Sequence, residues 1–239
     1  MNNSIISFMQ QARADADIVD LSYRFEPDMP VWPTHARYGA VIYESYDWTG
    51  VSMHRQVTYG EHSGTHIDAP RHFFREGKSI DQMDPACVMG RAVTIDASFL
   101  QPCEAYTLEH LKRFETEHGT IEAGDIVLFR FGWDDRYGTG AQTVEFLKDW
   151  SGLGKDAAQY LYDRGVAAVG TDALALDPFG SPDYPCHQIL LGHGTPILEN
   201  VANLKLLPPF SYVIGLFTKF EDGSGSPINM VAFVQRRQP

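Results

Sequence analysis

Three histidines and one aspartate lie within a single short segment of the sequence. The segment runs from His62 through His66 and Asp68 to His72, and Gly64 and Pro70 interrupt it. Imidazole nitrogens and carboxylate oxygens are the ligands of catalytic zinc and manganese sites, in which an open position is kept for water. Metal-activated water beside a proton-transfer group is the chemistry of hydrolysis. The segment therefore predicts a hydrolytic metal centre.

The spacing of these residues indicates how they converge. His62 and His66 are four positions apart, as on one face of a helix, but the Ser-Gly-Thr sequence between them disfavours a helix. In an extended segment, His66 and Asp68 project to the same side, because side-chain direction repeats every two residues. Gly64 permits a bend that returns His62 to the same point. We predict these three residues as metal ligands and His72 as a general acid or base.

A chance grouping of surface or packed histidines is the alternative explanation. For any single histidine that explanation is the more common one. For the whole cluster the balance reverses, because buried ionisable groups need partners and a metal ion supplies one. A purely structural metal site is disfavoured, since such sites are usually closed by four Cys or His ligands and this segment has no cysteine.

Composition limits the remaining possibilities. The chain has 239 residues, of which 44% are hydrophobic and 21% charged, as in a globular protein with a sizeable core. Its formal net charge of -12 argues against nucleic acid and anionic membranes as partners. The N-terminal sequence lacks the pattern of a signal peptide, and no stretch has the ~20 apolar residues of a membrane helix. With three widely spaced cysteines, these features predict a cytoplasmic protein.

Hydrophobic periodicity and turn signals predict one mixed α/β domain that spans residues 1–239. Helices are predicted at residues 4–13, 107–118 and 155–164. A hairpin is predicted from residues 38–46 and 51–59, and it leads into the histidine segment. Other strands are predicted at residues 17–22, 90–96, 126–131, 166–170, 212–220 and 228–235. Prolines impose an irregular segment around Trp32, whose ring is either a packing lid or a pocket wall.

Residues 62–73 resemble the signature of the cyclase-like metal-dependent hydrolases. That family includes bacterial kynurenine formamidases, isatin hydrolases and some lactone hydrolases. The resemblance extends in order along nearly the whole chain, through residues 20–22, 30–33, 124–128, 170–172, 187–191 and 197–200. It implies a cyclase-like fold of the swivelling β/β/α type and assembly as a homodimer or homotetramer.

By this resemblance, His62, His66 and Asp68 bind one divalent ion, Zn²⁺ or Mn²⁺. In formamidase-like members Asp68 also bridges to a second ion, which His187 and Glu199 complete. In members with one metal, these last two residues support the ligands instead. Both lie in apolar segments where an unpaired charge is costly, although Glu199 precedes a loop and can alternatively face solvent. The family's proton-transfer residue corresponds to His72.

The implied reaction is hydrolysis of a small amide, lactam or ester bond by metal-activated water. The first expectation is an arylformamidase acting on N-formylkynurenine, and the alternatives are hydrolysis of isatin or of a lactone. Trp32, Tyr59 and Phe73 are candidates for the wall of an aromatic substrate's pocket, or equally for core packing. Gln188 stands where an arginine is common in formamidase-like members, so the substrate stays open. The alternative to an enzyme is a metal-dependent protein that binds a small molecule without turnover. The complete set of predicted ligands beside His72 argues against this alternative.

Overall fold

The computed structural model describes residues 4–236 and contains a mixed sheet that closes on itself. The strands are β1 (Ala16–Asp20), β2 (Gly39–Glu44), β3 (His54–Thr58), β4 (His66–Asp68), β5 (Met89–Asp96), β6 (Ala105–Tyr106), β7 (Ile126–Arg130), β8 (Gly152–Leu153), β9 (Ala168–Thr171), β10 (Ile197–Glu199), β11 (Phe210–Phe217) and β12 (Gly225–Gln235). The helices are α1 (Ile5–Asp15), α2 (Tyr46–Thr49), α3 (Leu108–His118), α4 (Thr143–Phe146), α5 (Lys155–Arg164) and α6 (Pro185–Gly192).

Eight strands form the main sheet in the order β1-β12-β11-β5-β7-β9-β10-β4. The strands β5, β7, β9 and β10 are parallel neighbours, and the other pairs are antiparallel. The short strand β4 also pairs with the start of β12, and this pairing closes the sheet into a barrel. The barrel therefore has a seam at β4, where the predicted ligands lie.

Alternating residues of the strands divide the core into two clusters. Ile126 and Leu128 of β7 belong to the cluster that fills the barrel, together with residues of β4, β10 and β12. Val127 and Phe129 point to the other side and pack against the apolar faces of α3, α5 and α6. The mixed α/β fold is confirmed.

Local sequence signals account for the helix boundaries. Thr107 caps α3, because its hydroxyl accepts the amide of His110 while the His110 ring accepts the amide of Thr107. The helix α5 ends at Gly165, whose φ of 72° is readily available to glycine. The three predicted helices are present, but α6 was not predicted. Among residues 4–236, no helix combines the length and apolar composition needed to cross a bilayer.

The predicted hairpin is present as a separate two-stranded sheet of β2 and β3, with α2 in place of the predicted turn. Residues 39–58, which we call the arm, include no buried residue. The helix α1 likewise buries no side chain, so its predicted apolar face is exposed to solvent. These two elements contribute little to the core.

Candidate metal centre

The strand β4 places two predicted ligands on one face of the sheet. His66 and Asp68 are both buried, and His66 Nε2 lies 3.5 Å from Asp68 Oδ1. Antiparallel pairing with β10 sets Glu199 directly opposite His66, with Glu199 Oε2 also 3.5 Å from His66 Nε2. Glu199 is only 5% exposed, so it lies at the centre rather than in solvent. Ligand atoms of these three residues all lie within 4.8 Å of one another.

A bend at Gly64 brings His62 back to the same point, as its sequence position suggested. Gly64 has a φ of 60°, a conformation that favours glycine. His62 Nδ1 lies 2.6 Å from Asp68 Oδ1. On the other side of β4, Gly225 leaves room for this ring, because a Cβ there would lie 2.6 Å from His62 Cε1.

His187 enters the centre from the first turn of α6. Its Nε2 lies 3.2 Å from Glu199 Oε1 and 3.6 Å from Asp68 Oδ2. Asp177 holds the helix start, because its carboxylate accepts the backbone amides of Cys186 and His187 at 2.8 and 3.2 Å. The same carboxylate lies 2.6 Å from His187 Nδ1. Asp177 thus orients the imidazole, a role that the sequence analysis did not assign to it.

His72 lies beside these ligands in the helical turn that follows β4. Its ring centroid is 4.0 Å from that of His62. Burial lowers the pKa of His72 to about 4, with a further lowering from His62 and His187 that Asp68 and Glu199 partly oppose. His72 is therefore neutral at pH 7 and able to accept a proton. Its ring nitrogens also lie close enough to His62 and Asp68 for it to be a ligand.

The charges of the cluster fit a divalent cation. Burial opposes ionisation of Asp68, but His62 and His187 hold the pKa of its carboxyl well below the usual range. Burial also opposes the charged form of His187, whereas hydrogen bonds to carboxylates raise its pKa well above the usual range. Asp68 Oδ2 is buried and has no hydrogen-bond partner among the described residues. A cluster that keeps a buried carboxylate ionised among histidines, and leaves one of its oxygens without a partner, has the donor set of a metal site.

The outward-facing nitrogen of each imidazole is held by a hydrogen bond. His66 Nδ1 donates to the carbonyl of Gly64 at 2.8 Å, and Asp177 holds His187. His62 Nε2 donates to the Ser224 hydroxyl at 2.8 Å, and this hydroxyl donates to Glu61 at 2.7 Å. Such outer hydrogen bonds are typical of metal-binding histidines. The sequence analysis identified neither Ser224 nor Glu61.

We expect Ser224→Ala and Glu61→Gln each to weaken metal binding about 10- to 100-fold. Ser224→Ala removes the hydrogen bond that orients His62, and Glu61→Gln removes the negative charge that holds the Ser224 hydroxyl. Competition with a chromophoric chelator measures this affinity without reference to activity. Ser7→Ala, in the exposed helix α1, is the matched control and should bind metal as the wild type does. Unchanged affinity in both test variants would show that the Ser224–Glu61 pair does not position His62.

A cavity of about 210 Å³ opens onto the cluster. Trp32 and Phe73 line it, as predicted, and Phe73 stacks on His187 with 4.8 Å between ring centroids. Trp32 is therefore a pocket wall. Tyr59 lies outside this cavity, where its ring contacts Phe25 at 5.3 Å. The prediction that Tyr59 binds substrate has no support from this geometry.

Four residues of the cavity wall were not predicted from the sequence: Leu174, Ala175 and the two ring-bearing residues His35 and Tyr184. His35 and Tyr184 both line the cavity, in segments rich in proline where no regular element was predicted. Tyr184 has a φ of 44° and precedes Pro185, the first residue of α6. An aromatic residue in such an irregular segment was the available signal.

A second cavity of about 240 Å³ lies beside α3 and the ends of β5 and β7. Its charged side chains are paired with one another. Arg130 contacts Asp96 at 3.2 Å, and Arg113 contacts Glu117 at 3.7 Å. We therefore assign the candidate site to the smaller cavity, where the predicted metal ligands converge.

Comparison with known proteins agrees with this site. The Cyclase family model, described as "Putative cyclase", matches residues 19–178, which include the segment from His62 to His72 but not His187 or Glu199. A kynurenine formamidase of Bacillus cereus is 28% identical to this chain, and the match covers 89% of this chain and 95% of the relative. A kynurenine formamidase of Erythrobacter litoralis is 29% identical, and the match covers 90% of this chain and 93% of the relative.

Solved structures are similar to this chain over nearly its whole length. Isatin hydrolase A from Ralstonia solanacearum is 30% identical, with a TM-score of 0.89 and coverage of 98% of both chains. Isatin hydrolase A from Labrenzia aggregata, bound to benzyl benzoate, is 29% identical with the same TM-score, and the match covers 98% of this chain and 100% of that one. As the resemblance of residues 62–73 predicted, the chain belongs to the Cyclase family.

Proposed function

We propose that this protein, a metal-dependent amidohydrolase of the Cyclase family, cleaves an amide bond next to an aromatic ring. The observation that carries the proposal is the position of His72. It is a neutral imidazole that contacts the ring of His62 and lines a cavity walled by Trp32, Phe73 and Tyr184. This arrangement combines a metal-ligand cluster, a proton acceptor and an aromatic surface within one small space.

We infer that His62, His66 and Asp68 hold one ion, and that Asp68, His187 and Glu199 hold a second where two are bound. Zn²⁺ and Mn²⁺ both suit these ligands. When bound, such an ion lowers the pKa of water and polarises the substrate carbonyl.

His72 carries the proton in the proposed reaction. Its ring is neutral at pH 7, so a nitrogen lone pair is free to accept a proton from the attacking water. It then donates this proton to the leaving nitrogen as the carbon–nitrogen bond breaks. Trp32 and Phe73 pack against the aromatic part of the substrate and hold the amide near His72.

An aryl formamide such as N-formylkynurenine is our first candidate substrate, in line with the curated relatives named kynurenine formamidase. Isatin is the second candidate, and two observations favour it. The match to isatin hydrolases covers almost the whole of both chains. The cavity of about 210 Å³ is also smaller than the ~300–1,000 Å³ of sites for larger ligands, which suits a compact bicyclic lactam.

Removal of metal should abolish hydrolysis of whichever substrate is correct. We expect dialysis against a chelator to reduce turnover of N-formylkynurenine or isatin below about 1% of its starting value, since metal supplies several kcal/mol of transition-state stabilisation. Added Zn²⁺ or Mn²⁺ should restore it, and mock-dialysed protein is the control. Absorbance changes of both substrates, with a lactone in the same panel, measure the rates.

Two outcomes would contradict the proposal. Activity that persists after complete metal removal would exclude the metal mechanism. Tight binding of metal and of an aromatic amide, measured by calorimetry without any hydrolysis, would instead favour a non-catalytic binding protein.

We propose a cytoplasmic location on the basis of cysteine usage. Cys87, Cys103 and Cys186 are all free thiols. Structural disulfides are typical of oxidising compartments, and free thiols suit a reducing one.

A further inference from the structure

A tight turn places two residues of a proline-rich segment at the wall of the cavity that opens onto the candidate metal centre. The backbone amide of His35 donates to the carbonyl of Trp32 at 2.8 Å, which closes a four-residue turn with Pro33 in its second position. Proline favours that position because its φ is already fixed. The side chains of Trp32 and His35 both line the cavity. The turn thus presents an indole and an imidazole to the same space.

The imidazole of His35 has no role in the cluster of candidate ligands. Its ring centroid is 5.8 Å from that of His62, so it borders the cluster without joining either group of converging ligand atoms. Its side chain forms no hydrogen bond with the described residues. An imidazole carries at least one N–H group. His35 therefore has a hydrogen-bond donor that the described part of the chain does not use.

The two candidate substrates share a chemical group that the proposed reaction does not use. N-formylkynurenine and isatin each have a ketone on the ring carbon next to the carbon that bears the amide nitrogen. When the amide carbonyl lies at the metal centre, this ketone is only a few bonds away and lies at the border of the same cluster. A carbonyl oxygen that moves from water into a cavity needs a hydrogen-bond donor, because its burial without one is costly.

We propose that His35 donates a hydrogen bond to this ketone and thereby selects aromatic amides that carry a ketone in the ortho position. The inference rests on the proposed function and adds a substrate-positioning residue to it. Trp32 packs against the ring of the substrate, while His35, three residues later in the same turn, holds the ring's ketone. Two contacts at different points of the ring fix its rotation in the cavity, and with it the direction of the amide bond.

Tyr184 and Trp32 also carry donors at this wall, but their rings belong to its aromatic surface. The ring of Tyr184 has edge contacts, at centroid distances of 6.5, 6.0 and 6.0 Å, with the rings of Trp32, Phe73 and His187. His35 instead has His62 as its one aromatic neighbour among the described residues. Its ring thus lies next to a candidate ligand and outside the packed aromatic group, where an ortho ketone would lie.

Two aromatic amines, one with the ketone and one without it, test the proposal independently of turnover. 2′-Aminoacetophenone carries an ortho ketone and aniline does not, and neither has an amide bond to cleave. We expect the metal-loaded wild type to bind 2′-aminoacetophenone about 10-fold more tightly than aniline, as a single hydrogen bond allows. His35→Phe keeps a flat ring without a donor and should remove this preference. Tyr184→Phe, which removes the competing hydroxyl, should retain it. Calorimetric titration measures the four affinities that these comparisons need in each protein pair.

A second matched pair, formanilide and its ortho-acetyl derivative, gives the kinetic form of the test. His35→Phe should raise KM for the ortho-acetyl derivative about 10-fold and change kcat less, because the ketone is bound before and during the reaction. The same variant should cleave formanilide with a kcat/KM within about 3-fold of the wild-type value, since that substrate makes no bond to His35. Formanilide thus also serves as the control for damage to the fold or to the metal centre.

The outcomes separate this inference from the proposed function. Equal binding of the two amines by the wild type, or a preference that survives in His35→Phe, would overturn the role of His35. A preference lost in Tyr184→Phe would assign the donor to Tyr184 and overturn it as well, as would equal kinetic losses for both formamides in His35→Phe. A wild type that cleaves neither formamide would contradict the proposed function, whereas a ketone preference that disappears in His35→Phe would still support His35 as the donor.

Discussion

Asp68→Asn should eliminate both metal binding and hydrolysis. Asp68 is the residue common to both groups of converging ligands, and its two oxygens face different histidines. An asparagine amide has the same shape but lacks the negative charge, and one of its atoms is a donor. We expect kcat/KM to fall at least ~1,000-fold, which is about 4 kcal/mol of transition-state stabilisation.

Elemental analysis of the purified variant, alongside initial rates, checks this expectation. Asp163→Asn, in the exposed face of α5, is the matched control and should keep wild-type metal content. If purified Asp68→Asn contains as much metal per chain as the wild type, Asp68 is not a metal ligand.

His72→Ala should lower turnover by about 100- to 10,000-fold while the metal content is unchanged. The reason is that the neutral imidazole beside the candidate ligands is lost from the cavity. Turnover measured at saturating substrate separates this effect from substrate binding. His193→Ala is the control, because His193 stacks on Tyr162 and does not line the cavity.

The metal content of the same variant distinguishes two roles for His72. Its ring nitrogens can reach the position shared with His62 and Asp68. Loss of one metal equivalent together with activity would make His72 a ligand and would contradict its assignment as the proton carrier.

Local geometry explains which parts of the site were predictable. His66 and Asp68 alternate along one extended strand, and Gly64 provides the turn that returns His62, so the convergence of three candidate ligands follows from seven consecutive residues. His72 follows four residues after Asp68, in a turn started by Pro70. Such short-range relations depend on backbone period and turn chemistry alone.

Contacts between residues distant in the sequence could not be predicted from backbone period or turn chemistry. Glu199 reaches His66 through the register of two paired strands. Its apolar segment suggested a buried, partnered carboxylate, but its role as a ligand came from the family resemblance. Ser224 and Glu61 are 163 positions apart in sequence and meet only in the folded chain. The contact of Asp177 with His187 depends on where α6 begins, and that helix was not predicted.

The same distinction applies to the fold. Alternating β-branched and apolar residues predicted the strands, and Thr107 and Gly165 marked helix ends correctly. Periodicity also predicted α1 as an amphipathic helix, yet no side chain of this helix is buried in the described chain. The pattern records that a face is apolar and does not say whether the same chain covers it.

A cation bound at the seam of the barrel would couple metal binding to folding. The strand that closes the sheet carries Asp68, and its neighbour carries Glu199, so closure buries two carboxylates side by side. Their mutual repulsion and desolvation oppose closure, and a bound cation offsets both. An ion that binds only the closed form at 100 times its Kd adds about 2.7 kcal/mol to the free energy of unfolding. The supply of metal would thus regulate how long the protein survives in the cell as well as how fast it works.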